Sequence, residues 1–184
     1  MSKRRDQILA QASLLFAERG FHGVSVNHIG EACGISGPAL YKHFSSKDEI
    51  LAASLTSISS QLLAEGQRRV ALATNPTEAL ASLVDWHVQF ALDEPAFIVI
   101  QKREWANLSA AAQRDVRALQ VDYIDVWVDV LCALRADWDR ATARAGAQAV
   151  FGLINSTPHS ARIDQAGMRK LLTRLALDAL TPAR

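Results

Sequence analysis

Ser25-Val26-Asn27-His28-Ile29-Gly30-Glu31-Ala32-Cys33-Gly34-Ile35-Ser36-Gly37-Pro38-Ala39-Leu40-Tyr41-Lys42-His43-Phe44-Ser45-Ser46-Lys47 reads as two short helices joined by a tight turn. Ser25 caps the first, over residues 26–33. Ser36 caps the second, over 37–43, with Pro38 in its first turn, where a missing N–H costs nothing. Gly30 lies where a side chain would obstruct the second helix, and Gly34 sits where the chain must turn sharply, so a positive φ is predicted there. Ile29, Ile35, Leu40 and Phe44 are spaced to form the small core between the two. These are the dimensions of a helix-turn-helix.

The flanking sequence is helical on both sides. Residues 4–19 carry Ile8, Ala12, Leu15 and Phe16 at helical spacing and stop at Gly20. Ser46-x-x-Glu49 is a capping box that opens a long helix from Lys47 to near Val70. Further helices are predicted over 77–92, 95–106, 112–135, 139–156 and 164–180. Pro76, Pro95 and Pro158 mark breaks, and Pro182 ends the structured chain. No segment alternates apolar and polar residues as a strand would. The fold class is therefore all-α with about nine helices. A three-helix head, residues 1–47, precedes a helical body, residues 48–184.

Composition narrows the function. Apolar residues make up 49% of the 184, enough for a sizeable core. The longest apolar run, Ala149 to Ile154, is far short of a membrane span. The polar start Met1-Ser2-Lys3-Arg4-Arg5-Asp6-Gln7 is not that of a secretory signal. Cys33 and Cys132 lie far apart and match no CxxC pattern, which reads as a reduced, cytoplasmic protein without disulfides or structural zinc. His87 and His159 have no partner at metal-ligand spacing, so no metal and no cofactor are expected. GxSxG, HExxH, GxGxxG and P-loop patterns are absent, so an enzyme is not expected; Glu104 and His87 could be imagined as an acid–base pair, but nothing in the sequence fixes them together.

Charge is unevenly distributed. Residues 1–47 hold six basic side chains (Lys3, Arg4, Arg5, Arg19, Lys42, Lys47) against three acids (Asp6, Glu18, Glu31), whereas the remainder is slightly acidic. A basic head favours a polyanion. The second short helix would expose Ser36, Gly37, Pro38, Ala39, Tyr41, Lys42 and His43. Small residues at its start let the backbone approach base edges, and Pro38 or Ala39 can touch a thymine methyl. Tyr41, His43 and Lys47 can donate to phosphates, with Arg4, Arg5 and Ser25 adding contacts on the flanking backbone. Helix corners also occur in proteins that bind no nucleic acid, so spacing and charge leave both readings open.

One resemblance bears on that choice. Ile8-Leu9-x-x-Ala12-x-x-Leu15-Phe16-x-x-x-Gly20-Phe21, Ser25-Val26-x-x-Ile29 and Gly34-Ile35-Ser36-x-x-x-Leu40-Tyr41-x-His43-Phe44-x-Ser46-Lys47-x-x-Ile50-Leu51 closely resemble the amino-terminal domain of TetR-family transcriptional regulators. The resemblance implies an all-α homodimer with a DNA-binding head and an effector-binding body. It also makes 37–43 the recognition helix, with Tyr41, His43 and Lys47 at phosphate-contacting positions. Gly30 departs from the usual alanine, and Cys33 from a small apolar residue; both are small. Pro38, Ala39 and Lys42 occupy the variable positions.

In the body, Val116, Leu119, Tyr123, Trp127, Val130 and Leu134 form one stripe of the 112–135 helix, as ordinary core packing requires. Trp86, His87, Phe90, Arg103, Trp105, Tyr123, Trp127, Phe151 and Asn155 interleave polar and aromatic groups on inward faces, the composition of a small-ligand site. Each of them singly is better explained by core or surface packing than by ligand contact. Ala141, Ala145, Ala149 and Gly152 form a small-residue stripe, and Met168, Leu171, Leu172 and Leu175 a leucine-rich face. The TetR resemblance implies that these last two helices build a homodimer, whose two recognition helices would lie about one DNA turn apart on a two-fold symmetric double-stranded operator. Intramolecular packing is the alternative.

A second resemblance concerns the effector. Arg103-Glu104-x-x-Asn107-Leu108, Gln120-x-x-Tyr123-x-x-x-Trp127-x-x-x-Leu131 and Phe151-Gly152-Leu153-Ile154-Asn155-Ser156-Thr157-Pro158-His159 look like TetR-type regulators associated with acyl-CoA and lipid catabolism. It implies a small lipophilic effector, an acyl-CoA thioester, with Lys102, Arg103 or Arg140 meeting CoA phosphates. A drug-like or other lipophilic ligand would suit the same lining. The function expected is ligand-controlled repression, with the 47–70 helix as lever; a helical interaction protein without DNA binding is the competing class.

Overall fold

The computed structural model describes residues 3–181; Pro182, predicted to end the structured chain, lies outside them. The elements are α1 (Lys3–Arg19), α2 (Val26–Ala32), α3 (Gly37–Leu40), α4 (Lys47–Leu72), α5 (Pro76–Asp93), α6 (Pro95–Arg103), a 3-10 turn (Trp105–Asn107), α7 (Ala110–Leu134), α8 (Arg140–Ile154), α9 (Thr157–Ser160) and α10 (Gln165–Leu180). No strand occurs among the described residues. Pro158 does not merely interrupt the chain. It sits in the first turn of the four-residue α9, which the sequence reading treats as a break.

Two compact units result: residues 1–59 with 96–117, and residues 60–95 with 118–184. In the first, which takes in the start of α4 and α6 beyond Pro95, Ile8, Ala12, Phe16, Ile29, Leu40, Phe44, Ile50, Leu51 and Phe97 are buried. Gly20 ends α1 at φ +74°, and Gly34 makes the turn between α2 and α3 at φ +66°, as predicted. The second predicted short helix is regular only to Leu40. From there Lys42 N–H bonds to Ala39 O and His43 N–H to Leu40 O, so the last turn tightens to 3-10 spacing through His43.

The close approach of α2 and α3 depends on Gly30. A Cβ there would lie 2.8 Å from the carbonyl oxygen of Ile35, a backbone atom that also accepts no freedom to move because Ile35 N–H is bonded to Gly30 O at 2.9 Å. Gly30→Val is expected to destabilise the fold by about 1–3 kcal/mol through this overpacking. A denaturation midpoint equal to the parent's would refute the steric role.

In the second unit α5 packs on α10 and α8, and α8 on α10. Leu80, Leu83, Val84, Val88, Ala91, Trp127, Leu131, Ala147, Ile154 and Ala176 are fully buried. Asn75, Asp139 and Asp164 cap α5, α8 and α10, each accepting from the backbone N–H three residues on.

Candidate functional site

In the head, the two cap serines each use one hydroxyl lone pair internally. Ser25 accepts from His28 N–H at 3.1 Å while its own N–H donates to His28 Nδ1, and Ser36 accepts from Ala39 N–H at 3.4 Å. Their O–H protons remain available as donors. Gly37, Pro38 and Ala39 form the start of α3, Tyr41 is 55% exposed, Lys42 is exposed and His43 is half-buried. The structure thus brings Ser36 through His43 onto one short segment.

The cations beside that segment are anchored. Lys47 Nζ donates to the carbonyls of Phe21 and Val24, both at 2.7 Å, and lies 4.2 Å from the Phe21 ring centroid. Two of its three donors therefore cap the turn before α2. Arg5 donates to His43 O at 2.6 Å and to Glu49 at 3.5 Å, with its guanidinium 4.0 Å over Phe44. Arg4 donates to Gln7 and to Cys33 O. Each cation adds charge to the surface while tying α1 or α4 to the helix-turn-helix, a double role that spacing alone does not reveal.

In the second unit, His87 stands at the centre of a ring cluster. Phe151 stacks on it at 4.4 Å, Tyr123 at 5.8 Å, and Trp127 and Phe90 sit 6.0 Å away. His87 Nδ1 lies 3.3 Å from the Tyr123 hydroxyl and Nε2 lies 3.2 Å from Asn155 Oδ1. A neutral ring protonated on Nε2 satisfies both, donating to Asn155 and accepting from Tyr123. Burial pushes the imidazole pKa down to about 4, and pushes the Tyr123 phenol up. The indole N–H of Trp127, fully buried, has no hydrogen-bond partner among the described residues. Tyr123 reaches this place because Gly66 on α4 has no side chain; a Cβ there would be 2.7 Å from the Tyr123 ring.

Six of the nine body residues are therefore assembled: His87, Phe90, Tyr123, Trp127, Phe151 and Asn155. Trp86 faces away from them, its indole N–H 3.4 Å from Leu62 O and Arg69 over its ring. Arg103 and Trp105 belong to the first unit. Arg103 donates to the carbonyls of Phe16 and Ala17 at the end of α1 and, at 2.7 Å, to Glu104. Glu104, 4% exposed, also accepts from Asn107 at 2.8 Å. Trp105 packs 5.5 Å from the Arg117 guanidinium.

Known proteins match along most of this framework. The family described as "Bacterial regulatory proteins, tetR family" matches residues 8–54, and "Tetracyclin repressor-like, C-terminal domain" matches residues 73–159. The chain belongs to the TetR family. The HTH-type transcriptional repressor KstR2 of Mycolicibacterium smegmatis is 31% identical over 131 residues, which cover 71% of this chain and 64% of that protein. The chain thus spans less than two thirds of that relative's length. A TetR-family transcriptional regulator from Bordetella parapertussis superposes with a TM-score of 0.84 at 24% identity, covering 97% of this chain and 96% of that one. AibR, solved with isovaleryl coenzyme A and operator DNA, superposes with a TM-score of 0.79 at 20% identity, covering 98% and 100%.

Within this TetR-family chain, the body-helix faces separate more finely than spacing indicates. On α10, Met168 and Leu172 are buried in the unit's own core, while Leu171 and Leu175 are 44% and 42% exposed. On α8, Ala143 and Ala147 are buried and Ala141, Ala145, Ala149 and Gly152 are exposed. The unpartnered face is therefore Ala145, Ala149, Gly152 and Leu153 with Leu171 and Leu175. No described helix is long and apolar enough to cross a membrane.

Sequence reasoning misses Gly66 and one groove, and it names Glu104 without its structural partners. Gly66 carries no signal beyond being a glycine in a helix. Glu104 is a single acid whose burial depends on Arg103 and Asn107. An open groove of about 490 Å³, lined by residues of α4, α5 and α7, includes none of the nine body residues named from sequence.

Proposed function

We propose that the protein is a ligand-responsive DNA-binding transcriptional regulator, a repressor, and not an enzyme. Residues 1–47 read DNA and residues 48–184 bind the effector and dimerise. The observation that carries this reading is the small-residue start of α3, with Pro38 exposed and Gly37 and Ala39 half-buried, held by Gly30 and Gly34 in a helix-turn-helix and flanked by Tyr41, Lys42 and His43. Gly37, Pro38 and Ala39 meet base edges; Tyr41, His43, Ser25 and Ser36 donate to phosphates; Arg4, Arg5 and the third donor of Lys47 supply charge. The partner is a two-fold symmetric double-stranded operator, bound by a homodimer formed through the exposed faces of α8 and α10.

The effector is a small lipophile, best read as an acyl-CoA thioester. Support comes from the likeness of the Arg103, Tyr123 and Phe151 segments to acyl-CoA-responsive regulators, and from the fold shared with AibR, whose structure holds isovaleryl coenzyme A. Residues His87, Phe90, Tyr123, Trp127, Phe151 and Asn155 are its proposed contacts, with Trp86, Arg103 and Trp105 outside the assembled cluster. Repression is relieved when effector binding favours a conformation whose heads no longer fit the operator, by as much as its affinities for the two states differ.

Tyr41→Ala tests the DNA reading. Because Tyr41 is exposed, stability is expected to stay within about 0.5 kcal/mol of the parent. Affinity for DNA upstream of the protein's own gene, measured by anisotropy at near-physiological salt with competitor DNA, is expected to fall about tenfold. Unchanged affinity in Tyr41→Ala and in the Tyr41→Ala, Lys42→Ala double variant would refute the assignment of this face.

A further inference from the structure

We propose that Asn27 on α2 determines sequence specificity by recognising an adenine in the major groove, with Gly37 positioning its amide. The other glycines at this corner have backbone reasons. Gly20 and Gly34 hold positive φ, and Gly30 faces the Ile35 carbonyl oxygen. Gly37 has neither reason: its φ lies outside the left-handed region, and no backbone atom stands where its Cβ would go. The Asn27 side chain stands there instead. Its Oδ1 would lie 2.3 Å from that Cβ and its Cγ 3.5 Å. An alanine at 37 would push the amide aside, so the missing Cβ is what seats Asn27 at the first residue of α3.

This inference rests on the reading that Gly37, Pro38 and Ala39 meet base edges, and adds to them a side chain able to choose among bases. Asn27 is exposed, and among the described residues no hydrogen bond occupies its side chain. Both amide N–H donors and an oxygen lone pair are therefore free. In the major groove adenine presents a donor, N6–H, beside an acceptor, N7, and a carboxamide meets both at once. Guanine presents two acceptors there, cytosine a donor alone, and thymine an acceptor beside its methyl. Asn27 also has a stem of a single methylene. Held against Gly37, its amide sweeps a short arc, which reading one base edge requires and pairing with a phosphate does not.

The test incubates the full chain with a pool of random-sequence duplexes at near-physiological salt, then sequences the bound fraction. Anisotropy follows on the enriched duplex, with each base pair exchanged in both half-sites. The parent is expected to favour adenine at one pair per half-site by about tenfold or more. Asn27→Ala should lose that preference and keep the others, with a melting temperature within about 2 °C of the parent because Asn27 is exposed. Asn27→Asp should exchange adenine for cytosine at the same pair, since a carboxylate accepts from N4–H but cannot donate to N7. Gly37→Ala should relax that pair too. Asn27→Ala, Gly37→Ala should relax it no further than either change alone, as one shared contact requires. An adenine preference retained in Asn27→Ala or Asn27→Asp, or a loss spread evenly over all base pairs, would overturn the proposal and leave the DNA-reading assignment standing. A parent that enriches no sequence would overturn both.

Discussion

Arg103→Ala is expected to lower the stability of the protein by about 2–3 kcal/mol, a fall of roughly 5–10 °C in melting temperature for a chain of this size. Two losses add. The guanidinium caps the end of α1 by donating to Ala17 O and to Phe16 O, the latter also accepting from Gly20 N–H at 3.0 Å. It also supplies the 2.7 Å charge-assisted bond to Glu104, which is 4% exposed. Truncation leaves that carboxylate buried with Asn107 as its remaining named donor. The cost is held below that of a fully buried pair because the Arg103 side chain is itself 43% exposed. Arg103→Ala, Glu104→Gln removes the stranded charge and should recover part of the loss. Thermal melts of the two variants and the parent check this; a single-variant melting temperature within about 2 °C of the parent would show that the α1 cap is dispensable.

Acidification is expected to remove up to roughly 3 kcal/mol of stability through His87 alone. Burial holds the folded imidazole pKa at about 4, below its ordinary value of 6.5. Between those values the unfolded chain binds a proton that the folded chain refuses. Stability from this group is therefore complete above pH 6.5, declines as the pH falls, and levels off near pH 4. His87→Gln keeps a side chain able to bridge Tyr123 and Asn155 but cannot titrate. Urea unfolding at a series of pH values should show the parent's slope between pH 6.5 and 4 flattened in the variant. Equal slopes in the two proteins would mean that protons enter elsewhere.

Much of the head is legible residue by residue. Ser25, Gly30, Gly34, Ser36 and Pro38 each impose a local backbone requirement, so caps, turn and positive φ follow from their chemistry without knowledge of the rest of the chain. The exposure of Tyr41 and burial of Leu40 follow from periodicity. The anchoring of Lys47 on Phe21 O and Val24 O does not, because it joins positions 26 and 23 residues apart.

The body divides along the same line. The α7 stripe predicts that Tyr123 and Trp127 point inward, and both are buried. That Arg103 reaches α1, 87 and 86 residues earlier, is a matter of packing between distant elements, as is the separation of Trp86 from the ring cluster. On α10, hydrophobicity marks Met168, Leu171, Leu172 and Leu175 alike; only contact with α5 and α8 sorts them into core and exposed face.

The sequence by itself determined the all-helical class, the helix-turn-helix with its turn glycines, the caps and the family. Each depends on residues within a few positions of one another, where φ, capping and helical periodicity act. The tertiary structure alone decided which polar groups are spent internally, that Gly66 admits Tyr123 beside His87, and that an aliphatic groove lies apart from the aromatic cluster. These are relations between side chains remote in sequence, set by the packing of α4, α5, α7 and α8, and no local spacing encodes them.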